Sequence, residues 1–380
     1  PLLSPTGRFP LAFWLVLSAA VLVRGPVALL LAALVATSFV TAVRDPGRLL
    51  RLRPFSGVLL LSLIVSPVWL RLTARDPAYL PEFLWRYNVL RYLNAEVAGS
   101  HSEPFLFYLW FTPILILPWA IFLPWSLRPP RTRSGDEAHL YLLGWIVVFL
   151  GFFTLSAAKF PTYVLPTLFP LSLLTAAWLE RRLGDAARPR LRDPILLGGA
   201  VIFLVVILAP LAGYQIVSRS FPTYAPNTAY LLLMIPFAIP GLAAVAGRSR
   251  AGVFASITAC STVCLLGLYR FGSATVSAYN SMEVPAELIV RHLPPDASII
   301  SYRTTTHSLS FYSGRPSRAV ELLGDATSLL DADHPTALLT KDRYLPDLRG
   351  RMSRPVYFWW EADSKKILLA NRPPPDGADL

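Results

Sequence analysis

Nine apolar runs divide the first 270 residues of this chain, at roughly 11–23, 26–43, 55–72, 105–127, 138–157, 161–179, 194–217, 228–247 and 252–270. Most approach the ~20 residues that a helix needs to cross a hydrocarbon layer. In lipid, backbone N–H and C=O groups must be satisfied within the protein, and a run of this kind does so as a helix. The stretch is therefore expected to form a polytopic membrane bundle. A composition that is 54% hydrophobic and 15% charged agrees.

The connections alternate in charge. One set carries Arg8; Arg44, Arg48, Arg51 and Arg53; Arg128, Arg131 and Arg133; Arg181, Arg182, Arg188, Arg190 and Arg192; then Arg248 and Arg250. The other set holds Arg24, the segment 73–104, Lys159, the Ser218–Asn227 loop and everything after Arg270. Short Arg-rich loops face the cytoplasm, so the second set is expected on the outer face. The net charge of +12 follows the same division: residues 1–279 hold 23 basic and 10 acidic side chains, residues 280–380 hold 12 and 13. Topology explains that excess better than nucleic-acid binding does.

The segment 73–104 is too polar to span. Phe83, Leu84, Tyr87, Leu90, Arg91 and Leu93 recur at helical spacing, which predicts an amphipathic helix on the outer surface with Arg86, Asn88 and Arg91 in the headgroup zone. Residues 1–278 are thus read as a transmembrane domain and 279–380 as a small α/β domain outside. Strands are expected at 297–302, 318–322, 336–340, 355–360 and 366–370, with a short helix over 305–312. No nucleotide-binding pattern occurs there. Cys260 and Cys264 share a helix face and read as packing residues.

Lys159 is the only lysine before Lys341, in a chain that otherwise uses arginine. A compact ammonium and a planar guanidinium are not interchangeable at a tight anion site. Arg24, Arg86, Arg91 and Lys159 are expected at one membrane depth, beside the amino end of a helix starting near Pro161, with Tyr163 as a further donor. Together they would hold an anionic headgroup; the plainer alternative is a set of interfacial anchors. Sugar or acyl transfer to a hydroxyl or amine calls for a general base. The outer face of the membrane part offers Asp76, Glu82, Glu96, Glu103 and His101, all in one loop. No spanning run contains a carboxylate, which argues against an ion-coupled transporter.

The run Leu155–Pro166, with Ser156, Lys159, Tyr163, Leu165 and Pro166, resembles the Ser-x-x-Lys-x-x-x-Tyr-x-Leu-Pro signature of bacterial glycosyltransferases related to aminoarabinose transferase and protein O-mannosyltransferase. These are GT-C enzymes of glycosyltransferase family 39 type. Arg24-Gly25-Pro26 is similar to that family's Lys-Gly-Pro turn, Tyr87–Tyr92 to its outer-surface helix, and His101–Leu109 to the segment entering the next span. The likeness covers roughly residues 10–180, and the remainder by architecture.

The resemblance implies a GT-C-like fold with about nine spans here and a C-terminal α/β domain in the periplasm of a bacterial inner membrane. It implies a sugar donor linked to a polyprenyl phosphate, and lipid A or another envelope acceptor. Lys159, Tyr163 and Arg91 would contact the carrier phosphate, with Arg24 where the family often has Lys. Asn88, Arg86 and His101 would line the site. Aminoarabinose transferases have a metal-binding His where this chain has Asn88, so no metal ligand is assigned. The family's catalytic Asp lies in a first outer loop; its absence, with the missing initial Met, suggests an N-terminally truncated chain that is inactive alone. A non-enzymatic polyprenyl-lipid transporter or scaffold is the rival reading. It would call for interrupted helices with polar midplane residues.

Overall fold

The computed structural model describes residues 9–94, 103–129, 136–220, 225–272, 281–304, 307–320, 322–361 and 365–374. The chain divides into two compact units, 1–207 with 236–261 and 208–235 with 262–380.

Among the described residues, six helices are long and apolar enough to cross a membrane: Pro54–Arg75, Glu137–Leu155, Pro161–Leu183, Pro194–Ser220, Ala229–Ala246 and Arg250–Phe271. Two shorter apolar helices, Phe9–Arg24 and Val27–Val43, precede them. The run 105–127, read from hydropathy as one span, is not straight. Phe107–Leu115 and Trp119–Ser126 meet at a bend of 113°, with a cis Leu117–Pro118 bond between them. Proline lacks the N–H and crowds the preceding turn, so Pro113 and Pro118 interrupt the helix where a hydropathy count sees only apolar residues.

Helix contacts in the first unit rest on small residues. A Cβ on Gly57 would lie 1.8 Å from Trp14 Cε2, so only glycine lets Pro54–Arg75 approach Phe9–Arg24 this closely. Trp14 Nε1 then donates to the Leu52 carbonyl at 2.8 Å. Two ion clusters tie the Arg-rich loops. Arg48 grips both carboxylate oxygens of Glu137 at 2.8 Å and also reaches Asp45. Arg250, 8% exposed, is bonded to Asp193 and donates to the Asp185 and Ala187 carbonyls.

In the second unit, the expected strands form. β1 (Ser298–Tyr302), β2 (Ser317–Val320), β3 (Thr336–Lys341), β4 (Tyr357–Glu361) and β5 (Lys366–Ala370) make one sheet of order β2-β1-β3-β5-β4. β1 runs parallel to β2 and β3; β5 is antiparallel to β3 and β4. Helices Glu283–His292 and His307–Ser313 cover the face bearing Ile299, Leu339 and Leu368. Helices Leu323–Asp331 and Leu345–Arg349 cover the face bearing Ile300, Leu338 and Ile367. Period-two alternation sends neighbouring residues to opposite faces and so supplies two cores.

Candidate functional site

A cavity of about 940 Å³ opens in the first unit. Its long wall is apolar: Ala12 to Val23 from one helix, Val27 to Ala36 from the next, and Tyr141, Trp145, Phe149 and Phe153 from a third. Polar groups gather where these helices end, namely Arg24, Asn88, Arg91, Tyr92, Ser156, Thr162 and Tyr163. Four residues singled out from sequence, Arg24, Asn88, Arg91 and Tyr163, therefore meet on one surface. Pockets of this kind take an apolar ligand and orient it with a few polar groups.

The turn after Phe9–Arg24 sets one side. Gly25 has φ +77, a left-handed conformation that glycine adopts without cost. A Cβ there would lie 2.9 Å from Phe83 Cζ and 3.2 Å from Asn88 Oδ1. The outer segment thus closes directly onto this turn. It is helical over 79–93, but Glu82–Leu90 is wound as a π-helix. Asn88 Nδ2 donates to the Phe83 carbonyl five residues back, at 2.6 Å. Such windings are rare and cluster at functional sites.

The segment is also fastened to the Lys159 loop. The Ala157 N–H donates to the Tyr92 carbonyl at 2.8 Å, and Tyr92 Oη donates to the Phe152 carbonyl at 3.0 Å. Burial pushes the Tyr92 phenol above its ordinary value, so it stays protonated and keeps that bond. Tyr108 Oη donates to the Phe160 carbonyl at 2.9 Å from below. Sequence reasoning assigned no part to Tyr92 or Tyr108; their partners lie 60 and 52 residues away, beyond any local pattern.

Arg91 stacks over the Phe160 ring at 4.8 Å, and its Nε is buried with no hydrogen-bond partner. Tyr163 rests between Phe153 and Phe160, with ring centroids at 4.8 and 5.3 Å. Lys159 is turned away from solvent: it is 6% exposed, and Nζ donates to the Ser156 carbonyl at 2.7 Å. Ser156 and Ala158, both just before it in the chain, form cavity wall. The loop folds back on itself, Ser156 Oγ donating to the Ala158 carbonyl, and this draws the ammonium inward. Among the described residues no carboxylate pairs with Lys159 or Arg91, and none lines the cavity. The helix at Pro161 begins as a 3-10 turn whose Tyr163 N–H is taken by the Phe160 carbonyl. The Arg86 side chain and His101 lie outside the described residues.

No family model matches the chain. An undecaprenyl phosphate-alpha-4-amino-4-deoxy-L-arabinose arabinosyl transferase of Pseudomonas paraeruginosa is 32% identical over 191 residues, covering 49% of this chain and 34% of that protein. A transferase of the same name from Sodalis glossinidius is 39% identical over 141 residues, 36% of this chain and 25% of its own. The chain thus spans about a third of the length of these curated relatives. The crystal structure of ArnT from Cupriavidus metallidurans bound to undecaprenyl phosphate matches with a TM-score of 0.65 at 20% identity, over 96% of this chain and 69% of that one. The apo state of the same protein matches with a TM-score of 0.67. The chain is thus similar in sequence, over about half its length, to undecaprenyl phosphate-aminoarabinose arabinosyl transferases, and over nearly all of it shares the fold of the ArnT structure.

Proposed function

We propose that this chain is the carrier-binding part of an inner-membrane glycosyltransferase that takes a sugar from a polyprenyl-phosphate-linked donor. The acceptor is lipid A or another envelope component on the periplasmic face, where residues 279–380 also lie. One observation carries the reading: Lys159 and the Arg91 Nε are buried beside an apolar cavity, and no carboxylate among the described residues neutralises them. An unpaired buried cation is costly, and an anion arriving with its own apolar tail removes that cost. Arg91, Arg24 and Tyr163 would meet the phosphate from the cavity side, and Lys159 from behind its wall. As charge builds on the departing phosphate, these donors would stabilise it. Asn88 would line the mouth, with Arg86 and His101 nearby in sequence.

Among the described residues no carboxylate lines the cavity, so the 380-residue chain is expected to bind the carrier and transfer no sugar. The test is titration of the purified chain in nanodiscs with undecaprenyl phosphate, followed by assay with a carrier-linked sugar. Saturable binding that weakens in Arg91→Gln supports the reading. Equal affinity for undecaprenol, which lacks the phosphate, would overturn it.

A further inference from the structure

The sheet of the second unit has a feature that the membrane site does not use. β1 lies between β2 and β3 and is parallel to both. The chain leaves β1 toward helix His307–Ser313, which covers one face; it leaves β3 toward Leu345–Arg349, which covers the other. Where adjacent parallel strands send their connections to opposite faces, a crevice opens outside their carboxyl ends, and ligands of open α/β sheets bind there.

Two arginines stand at those ends, with Asp342 between Lys341 and Arg343. Arg303 follows β1 directly and adopts φ +50, a left-handed conformation that costs a non-glycine residue energy. Its guanidinium stacks on Tyr302 at 5.4 Å and Tyr344 at 5.6 Å. Arg343 stacks on the same Tyr344 at 4.7 Å, and its Nη2 donates to Tyr344 Oη. Stacking fixes the planes and leaves N–H edges for an acceptor. Lys341 ends β3 and stands opposite Lys366 of β5 in the antiparallel register. Like charges directly opposed across strands are destabilising. Burial, and then Lys341, hold the Lys366 amine below its ordinary value.

The amino ends of the strands are different. There Asp331 accepts the Ser353 and Arg354 N–H groups, and Asp333 pairs with Arg354. Among the described residues no ion pair engages Arg303, Arg343, Lys341 or Lys366.

We propose that the carboxyl ends of β1 and β3 form a second anion site, distinct from the membrane cavity, which takes a phosphoryl group between Arg303 and Arg343, whose guanidinium groups share the Tyr344 ring. The phosphoryl group could be free or carried on an anionic lipid headgroup. A doubly charged oxyanion accepts from two planar forks at once.

The full chain in phosphatidylcholine nanodiscs tests this by hydrogen-exchange mass spectrometry. Pyrophosphate, against sodium chloride of equal ionic strength, should slow exchange over 338–345. The half-maximal concentration should rise about tenfold or more in Arg303→Gln and in Arg343→Gln. Arg91→Gln should leave this protection unchanged, which separates the site from the membrane cavity. Protection seen only in phosphatidylglycerol nanodiscs, and lost in the same two variants, would assign the phosphoryl group to a lipid. No protection in either arm, or protection indifferent to both substitutions, would overturn the proposal.

Discussion

Replacing Lys159 by Met separates the cost of a buried charge from its use. In the empty protein the ammonium is 6% exposed and has one described partner, the Ser156 carbonyl at 2.7 Å. A hydrogen bond from a charged donor contributes ~1.5–3 kcal/mol, while the effective penalty of a buried, unpaired ion is several kcal/mol. Methionine keeps the length of the side chain and removes the charge. The empty variant should therefore melt at the same temperature or higher, by ~1 kcal/mol of stability. The bound state should move the other way. Loss of one charge-assisted phosphate contact weakens binding by roughly 10–150-fold. Ligand at a hundred times the parent Kd stabilises the parent by about 2.7 kcal/mol; the same concentration should stabilise the variant by only about 0.3–1.4 kcal/mol. Thermal unfolding of both proteins in detergent, with and without undecaprenyl phosphate, reads all four states. A variant that is less stable when empty and gains as much as the parent from ligand would make Lys159 a structural pin of its loop and refute the reasoning.

Gly25→Ala places a Cβ 2.9 Å from Phe83 Cζ at φ +77, so it should cost ~1–3 kcal/mol and lower undecaprenyl phosphate affinity by moving the outer segment; an unchanged melting temperature would count against the close fit. Arg250→Met strips Asp193, itself 6% exposed, of its counter-ion and should destabilise the first unit by ~3–5 kcal/mol in thermal unfolding, with part recovered by adding Asp193→Leu. A phosphatase reporter fused after Gly184 should be inactive and one after Ser301 active; the reverse would invert the assigned faces.

The helical segments were legible because lipid enforces them: each apolar run is recovered as helix within a few residues, the run 105–127 alone being broken. Hydropathy is blind to direction, and the 113° bend there depends on where Pro113 and Pro118 fall. The strands were legible because alternation and turn residues are local signals: 297–302 was expected and Ser298–Tyr302 forms. Helices Glu283–His292 and Leu323–Asp331 were not assigned, since short amphipathic stretches among loops show too few turns to establish a period. In the candidate site, residue identities were readable and their surroundings were not. Of Arg24, Arg86, Arg91 and Lys159, placed at one depth from the sequence, Arg24 and Arg91 line the cavity, with Asn88 and Tyr163 beside them. That Lys159 turns inward depends on a loop captured by Tyr92 and Tyr108, and contacts across 50 residues or more leave no mark in the local sequence.

The π winding of Glu82–Leu90 acts as a rotational setting. An α-helix turns once in 3.6 residues, so nine residues make about two and a half turns. Each π turn takes about one residue more, and the same nine complete about two. Arg91 follows immediately, so its bearing relative to Glu82 differs by roughly half a revolution between the two windings. A guanidinium that lines the cavity in one winding would face away from it in the other, with no change in sequence. Deleting a single residue such as Val89 would leave eight residues, about 2.2 turns when wound as an α-helix, and so return Arg91 to within about a fifth of a revolution of its present bearing. The length of this segment, as much as its composition, then determines where the charge is delivered.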